Sequence, residues 1–296
     1  MNILVTGATG NFGRDVFDII AKRGINHSNI SALVRDEAKG QQFTSRGFGI
    51  KIGDYNNYES LVTAFTGVDK LLFVSSNDVE KRAIQHQDVC RAAKAAGVKY
   101  MVYTSFVRKT EDGSSPVAFI EKAHSQTEQF LRESGINHTI LVNGLYTDML
   151  TEYFIGPKVL DMGMIFYPTG EGLANYISRK ELAEVAVNVV LDTTDQHLNK
   201  DYRLYNTDQC TMADIARYLS ESFGKNIAHI SPDEATFVAQ LEKIGLPAPL
   251  IQVSYAFACA IRVGEFQSNT SDITQLLGRT PTTIRDFIVN YYKNLA

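Results

Sequence analysis

Ile3-Leu4-Val5-Thr6-Gly7-Ala8-Thr9-Gly10-Asn11-Phe12-Gly13 decides how the rest of this chain is read. Ile3 to Val5 is a short β-branched and aliphatic run of the kind that forms a buried strand. Beyond Gly13, the residues Val16, Phe17, Ile19 and Ile20 fall on one side of a helix that stops at Gly24. A glycine-rich turn between a strand and a helix has a specific use. Its glycines permit a tight turn, let the main chain approach a pyrophosphate and let the helix pack on the strand. The helix start then offers free N–H groups and a partial positive charge to an anion. The expectation is that Thr6, Gly7, Ala8, Thr9, Gly10, Asn11, Phe12 and Gly13 hold the diphosphate of a dinucleotide.

Working outward, short apolar runs alternate with helical stretches as far as residue 146. Strands are expected at Ile30 to Val34, Gly49 to Gly53, Leu71 to Val74, Tyr100 to Thr104 and Thr139 to Val142. Helices are expected after Asn57, from about Lys81 to Ala96, and from about Val117 to Ser134 with Gly135 just past the end. Strands without a polar face, separated by helices, indicate a parallel sheet covered on both sides. The fold class is therefore α/β, a Rossmann-type doubly wound sheet, with ligands beyond the carboxyl ends of its strands. After Tyr146 the pattern changes. Thr147 to Asn175 holds Gly, Pro and aromatics without clear periodicity. Ser178-Arg179-Lys180-Glu181 reads as a capping box opening a helix to about Leu191. Asp201 to Asn206 looks like a last strand, Thr211 to Phe223 like a helix, and Ser231-Pro232-Asp233-Glu234 like a helix start with Pro at its first position. The expected division is a dinucleotide-binding domain over 1–146, to which 176–206 returns, and a smaller, mostly helical substrate lobe over 147–175 and 207–296.

Composition narrows the function. The chain has 296 residues, 44% of them hydrophobic, enough for a full core. With 29 Lys+Arg against 33 Asp+Glu the net charge is −4, which gives no nucleic-acid footprint and no polybasic membrane anchor. No run approaches the length of a membrane span. Cys90, Cys210 and Cys259 lie far apart, without the spacing of a disulfide framework or a metal site. Met1 to Val5 reaches Gly7 too soon to hold a signal peptide, so the expected compartment is the cytoplasm. Apolar helix faces in the C-terminal lobe suit the core or a homodimer interface.

Strand two ends Ala32-Leu33-Val34-Arg35. An acidic residue there would bind the two ribose hydroxyls of NAD, whereas a guanidinium suits a 2′-phosphate. Arg35 therefore favours NADP, with NADPH preferred over NADH. Asp36 complicates this, since a shift of one residue would present a carboxylate. Asp54, at the end of strand three, is either an adenine-edge contact or a turn former. Ser75, Ser76 and Asn77 follow strand four and should run beside the cofactor.

The GxxGxxG spacing in Val5-Thr6-Gly7-Ala8-Thr9-Gly10 resembles the extended and atypical short-chain dehydrogenases. That family carries Tyr-x-x-x-Lys on the helix after strand five, the phenol being its acid or base. Measured back from Glu128, the two positions fall here on Ile120 and His124. Ile120 cannot move a proton, Tyr103 reads as sheet packing, and Lys122 points elsewhere on the helix. Instead the chain carries Ala123-His124-Ser125-Gln126-Thr127-Glu128, then Leu141-Val142-Asn143-Gly144-Leu145-Tyr146-Thr147-Asp148, Ser178 to Ala183, and Leu277-Gly278-Arg279-Thr280-Pro281. Together these resemble the NmrA-like branch, and within it the group holding bacterial triphenylmethane reductases and NADPH–quinone oxidoreductases. The likeness runs from Met1 nearly to Ala296. Val142 departs from it, because relatives often have arginine there.

The resemblance implies hydride transfer from a reduced nicotinamide to a quinone or similar conjugated aromatic acceptor, without a protein acid. His124 and Tyr146 are the expected catalytic residues, and Asn143, Gly144, Leu145 and Tyr146 would flank the nicotinamide. Met149, Leu150, Phe154, Met162, Met164, Ile165, Phe166 and Tyr167 floor an aromatic pocket or belong to the core. Two other readings compete. A non-catalytic NADP-sensing regulator would bind cofactor and a protein partner, and a nucleotide-sugar epimerase would need the acid that Ile120 replaces.

Overall fold

All three residues of β1 (Ile3–Val5) are buried and apolar, so this strand can lie only inside a sheet covered on both faces. A computed structural model describes residues 1–295. From β1 the chain runs through α1 (Asn11–Lys22), β2 (Ile30–Val34), α2 (Glu37–Thr44), β3 (Gly49–Ile52), α3 (Tyr58–Phe65), β4 (Lys70–Phe73), α4 (Arg82–Ala95), β5 (Tyr100–Phe106), α5 (Ala118–Ser134) and β6 (Asn137–Asn143). With the Lys200–Leu204 strand they make a seven-stranded parallel sheet, ordered Lys200–Leu204, β6, β5, β4, β1, β2, β3. Val5 lies opposite Ala32 on one side and Leu72 on the other. The strand order reverses between β1 and β4, and this opens a crevice at the carboxyl end of the sheet.

Each face of the sheet has its own core. On one side α1 and the Arg179–Leu191 helix pack together through Val16, Phe17, Ile20, Val185 and Val189. Phe17 meets Phe43 and Phe48 at centroid distances of 4.6 and 4.8 Å. Truncating such a buried ring to alanine costs about 3–5 kcal/mol. On the other side α3, α4 and α5 bury Leu61, Phe65, Val89 and Leu131. A third core belongs to the C-terminal lobe and includes Leu150, Ile165, Tyr167, Leu219, Phe257 and Ile288.

Local chemistry sets the ends of these elements. Asp36 caps α2 by accepting from Lys39 N, and Asn57 caps α3 by accepting from Ser60 N. α5 ends at Gly135, whose φ of 77° suits a residue without Cβ.

Several expectations need correction. α2 is not among the helices the sequence leads one to expect; it buries only Gly40 and Phe43 and so leaves little apolar pattern. The Arg179–Leu191 helix starts where expected, but its capping box does not form. Glu181 instead accepts from Arg279 Nη1 (2.7 Å) and Thr282 N (2.9 Å), so its carboxylate ties the chain's last segment to the helix. A capping box does form at Thr211 and Asp214. Pro232 stands before the N-cap Asp233 rather than at the first position of the Glu234–Lys243 helix. The expected last strand is followed by two more; Leu145–Tyr146, Ala174–Ile177 and Gln209–Cys210 form a three-stranded sheet that crosses the expected division, and Met164–Phe166 pairs with Ala228–Ile230 within the lobe. Within 147–175, short turns that include a π-helix at Leu150–Phe154 explain the missing periodicity.

Candidate functional site

The β1–α1 turn is shaped by close packing on its inner side and left open on its outer side. Gly7 has φ 59°, and a Cβ there would lie 3.0 Å from that of Val74. A Cβ on Gly13 would stand 2.4 Å from the Gly7 carbonyl oxygen, so helix and turn touch only because no side chain intervenes. Gly10 N donates to Gly7 O (3.0 Å) and Arg14 N to Gly10 O (2.9 Å). The N–H groups of Asn11, Phe12 and Gly13 have no acceptor among the described residues, and no side chain caps α1. These are the donors that a helix start presents to an anion.

The expected turn residues divide by exposure. Gly7, Gly10 and Asn11 are exposed and Thr9 is half-buried, whereas Thr6, Ala8, Phe12 and Gly13 are buried. Thr6 faces inward. Its hydroxyl accepts from Val74 N (3.0 Å), and Tyr55 donates to Val74 O (2.8 Å), so the two walls of the crevice are bound to each other.

Arg35 is exposed beyond β2. The neighbouring Asp36 spends its carboxylate on the start of α2, one oxygen accepting from Lys39 N (2.8 Å). Of the two residues, the guanidinium is the one left available at the end of the strand. Asp54 likewise turns its Oδ1 back on the chain, accepting from Asn56 N (2.9 Å). Ser75 N donates to Thr104 Oγ1 and Ser76 N to His86 Nε2, both at 2.9 Å, while Asn77 is exposed.

Beside Ser76 lies a polar network that the sequence did not disclose. His86 Nε2 accepts, so its proton sits on Nδ1, which donates to Thr127 Oγ1 (2.8 Å). Thr127 passes its own hydrogen to Ala123 O (2.6 Å). The Tyr103 hydroxyl is 2.7 Å from His124 Nδ1. Arg82 Nη1 stands 3.5 Å from His124 Nε2, and a guanidinium can only donate, which places the His124 proton on Nδ1, toward Tyr103. Burial holds His124 well below its ordinary value of 6.5, and the positive charge of Arg82 adds to this. Burial, again with Arg82, pushes His86 down to about 3. Burial raises Tyr103 well above its ordinary value of 10. Near neutral pH both imidazoles are uncharged and the phenol keeps its proton.

Asn143, Gly144 and Leu145 are buried at the end of β6, with Tyr146 half-buried beside them. Asn143 Nδ2 donates to the Tyr146 hydroxyl at 3.4 Å, but its Oδ1 is buried without a partner. A buried amide oxygen without a donor is unfavourable by roughly 1–3 kcal/mol, which a ligand N–H would relieve. That orphan, the free donors of α1 and exposed Arg35 fit a dinucleotide laid from β2 across to β6. Among the described residues no cluster of His, Cys, Asp and Glu could hold a metal.

The aromatic floor is mostly core. Leu150, Ile165 and Tyr167 are buried, Tyr167 stacks on Phe154 at 5.0 Å, and Met162 is exposed. The rings that reach His124 come from elsewhere. Phe106 lies 5.9 Å from its imidazole and meets Phe257 and Phe266 at 6.4 and 5.8 Å. Next to this wall Glu265 accepts from Lys109 N and Thr110 N, both at 2.7 Å, and clasps the loop after β5 to the lobe. Burial raises the nearby Glu121 carboxyl to about 7; Glu265 adds to the rise, while Ser115 and Arg108 oppose it. Arg179 joins α1 to the segment after Tyr146 by pairing with Asp15 (2.9 Å) and Asp148 (3.2 Å).

Comparisons with known proteins agree with this fold. Residues 1–288 match the NmrA-like family. Quinone oxidoreductase 2 of Escherichia coli (strain K12) is 32% identical, over 98% of each chain. The crystal structure of Citrobacter sp. triphenylmethane reductase complexed with NADP(H) superposes with a TM-score of 0.89 at 32% identity, covering both chains fully. That of an NADPH-dependent quinone oxidoreductase from Escherichia coli, complexed with NADPH, gives 0.88 at 31%, over 98% of this chain and 99% of the other.

Proposed function

We propose, from the premise that the chain belongs to the NmrA-like family, that it is an NADPH-dependent reductase of quinones or similar conjugated aromatic acceptors. Of the similar proteins named above, the Escherichia coli one is a quinone oxidoreductase solved with NADPH and the Citrobacter reductase was solved with NADP(H), which supports both the reaction class and the cofactor. The cofactor supplies a hydride. The chain's residues bind, orient and shelter it.

The N–H groups of Asn11, Phe12 and Gly13 receive the diphosphate, and Arg35 receives the 2′-phosphate through charge-assisted hydrogen bonds. Ser75, Ser76 and Asn77 line the ribose side, while Asn143 and Tyr146 flank the nicotinamide. The lobe formed by 147–175 and 207–296 covers the acceptor, and Phe106 of β5, backed by the buried rings of Phe257 and Phe266, is the apolar face that aligns a flat ring.

One observation carries the choice of acceptor. Where a short-chain dehydrogenase keeps its acid and its lysine, this chain has Ile120 and a His124 that is buried and uncharged. Hydride transfer to a simple carbonyl would create a strongly basic alkoxide, which needs an acid at the moment of transfer, and neither of these two residues supplies one. A quinone needs none, because its reduced form is a weakly basic phenolate that can form as the anion and take its proton from water afterwards. His124 therefore acts as a neutral positioning group, its two nitrogens held against Tyr103 and Arg82.

Steady-state NADPH oxidation with a panel of benzoquinones tests this. Turnover with at least one acceptor is expected. Tight NADPH binding without turnover of any acceptor would overturn the enzyme reading and favour a cofactor sensor.

A further inference from the structure

Arg82 is a buried cation without an anion. It is 8% exposed, and no carboxylate pairs with it among the described residues. Its Nε donates to Ser76 O (2.6 Å) and its Nη1 stands against His124 Nε2 (3.5 Å). Nη2 makes no hydrogen bond within the described residues, yet it is not among the sealed polar atoms. The Asp78 carboxylate lies near enough to be felt without pairing, and the phenols Tyr103 and Tyr146 stand on β5 and just past β6. The cation thus sits at the carboxyl ends of β4, β5 and β6, amid His124, Tyr103 and Tyr146. A desolvated, unpaired arginine is unfavourable unless something negative comes to it. Asp78 acts on it only from a distance and forms no ion pair with it among the described residues.

We propose that Arg82 is a catalytic and charge-selecting residue that stabilises negative charge developing on the acceptor's oxygen. The inference rests on the reductase reading above and adds the electrostatic group which that reading left unassigned. The electron balance makes the distinction sharp. With NADPH as reductant, a neutral quinone takes up one hydride, its ring gains two electrons, and it becomes the hydroquinone monoanion and NADP+. Solvent then supplies the one proton that completes the hydroquinone. A cationic triarylmethane dye takes up the same hydride at its central carbon and becomes neutral, so no anion forms and no proton is needed. A fixed positive charge assists the first transfer and opposes binding of the second substrate.

The experiment compares wild type with Arg82→Met and Arg82→Lys, each confirmed as folded by its thermal midpoint; Arg82→Gln replaces the methionine variant if that one fails to fold. Rates are measured with 1,4-benzoquinone and with a cationic triarylmethane dye. The expected result is that Arg82→Met lowers kcat/KM for the quinone about 100-fold while the dye rate is unchanged or higher. Arg82→Lys should restore part of the quinone rate. In a second arm, 4-nitrophenolate is titrated into the NADP+-loaded protein, and about tenfold tighter binding to wild type than to Arg82→Met is expected.

Equal loss with both acceptors would overturn the proposal and make Arg82 a structural residue. So would a change confined to the NADPH Michaelis constant, which would place the guanidinium on the cofactor. If wild type reduces neither acceptor, the reductase reading fails by itself. The nitrophenolate arm then still decides the role of Arg82, and no difference between the two proteins, including no binding to either, would overturn it.

Discussion

The β1–α1 turn and the α4–α5 face border the same crevice, and they treat polar groups in opposite ways. The turn leaves the N–H groups of Asn11, Phe12 and Gly13 without an acceptor among the described residues, behind the exposed Gly7, Gly10 and Asn11 that an anion can approach. The α4–α5 face buries His86, Tyr103, His124 and Thr127 and satisfies them mutually, at distances of 2.7 and 2.8 Å. One region is unfinished without a ligand, and the other is finished except for Arg82. Binding energy is therefore expected to come from the turn. The buried face would act by holding its groups rigid and in one protonation state.

The sharpest way to break this contrast is Gly13→Ala. Its methyl would stand 2.4 Å from Gly7 O and 2.6 Å from Ala8 Cα, both main-chain atoms that cannot swing away. Loss of at least about 3 kcal/mol of stability and of measurable NADPH binding is expected, read by thermal melting and calorimetry. Gly24→Ala is the control. Nothing lies near its Cβ, and only its φ of 62° is strained, so a loss of about 1 kcal/mol with binding intact is expected.

Arg35→Ala comes next. It should raise the NADPH Michaelis constant about 10–100-fold while sparing NADH. Asp36→Ala should remove a helix cap worth about 1 kcal/mol and leave the ratio of the two cofactors unchanged. An equal effect of Arg35→Ala on both cofactors would take the guanidinium off the phosphate.

The buried face sharpens the comparison through pH. His86 and His124 stay neutral in the folded protein but protonate near 6.5 when unfolded. Below that pH the unfolded chain binds more protons, so stability falls from about pH 6.5 down toward 3. His86→Gln should flatten this acid limb. The kcat profile between pH 6 and 8 should show no step from His124, and His124→Ala should lower kcat about tenfold at every pH in that range.

Glu121 has the opposite sign. Raised to about 7 from an ordinary 4.5, it binds a proton more tightly in the folded protein, so its contribution is present at low pH and fades as pH rises through 7. Glu121→Gln should raise the melting temperature by a few degrees at pH 8 and change it little at pH 4.

How much of this the sequence disclosed depends on how far the partners lie apart along the chain. The phosphate turn is contiguous, so Gly7, Gly10 and Gly13 could be read with their strand and helix on either side. Arg35 and Asp36 are harder to tell apart in the sequence, because only the start of α2 claims Asp36 as its cap. Arg82, His86, Tyr103 and His124 come from α4, β5 and α5, and no local pattern marks them as neighbours. Arg82 and His86 are one helical turn apart on α4, the only signal they leave in the sequence. Glu265 reaches Lys109 across 156 positions, and Glu181 reads locally as a capping residue because its true partner, Arg279, lies 98 positions on.

Titration calorimetry of the purified protein with NADPH and then with NADH tests most directly whether the opening glycine turn and Arg35 form the cofactor site. Micromolar NADPH affinity, about tenfold or more above that for NADH, is the expected result. Absence of binding by a well-folded sample at millimolar nucleotide would contradict it.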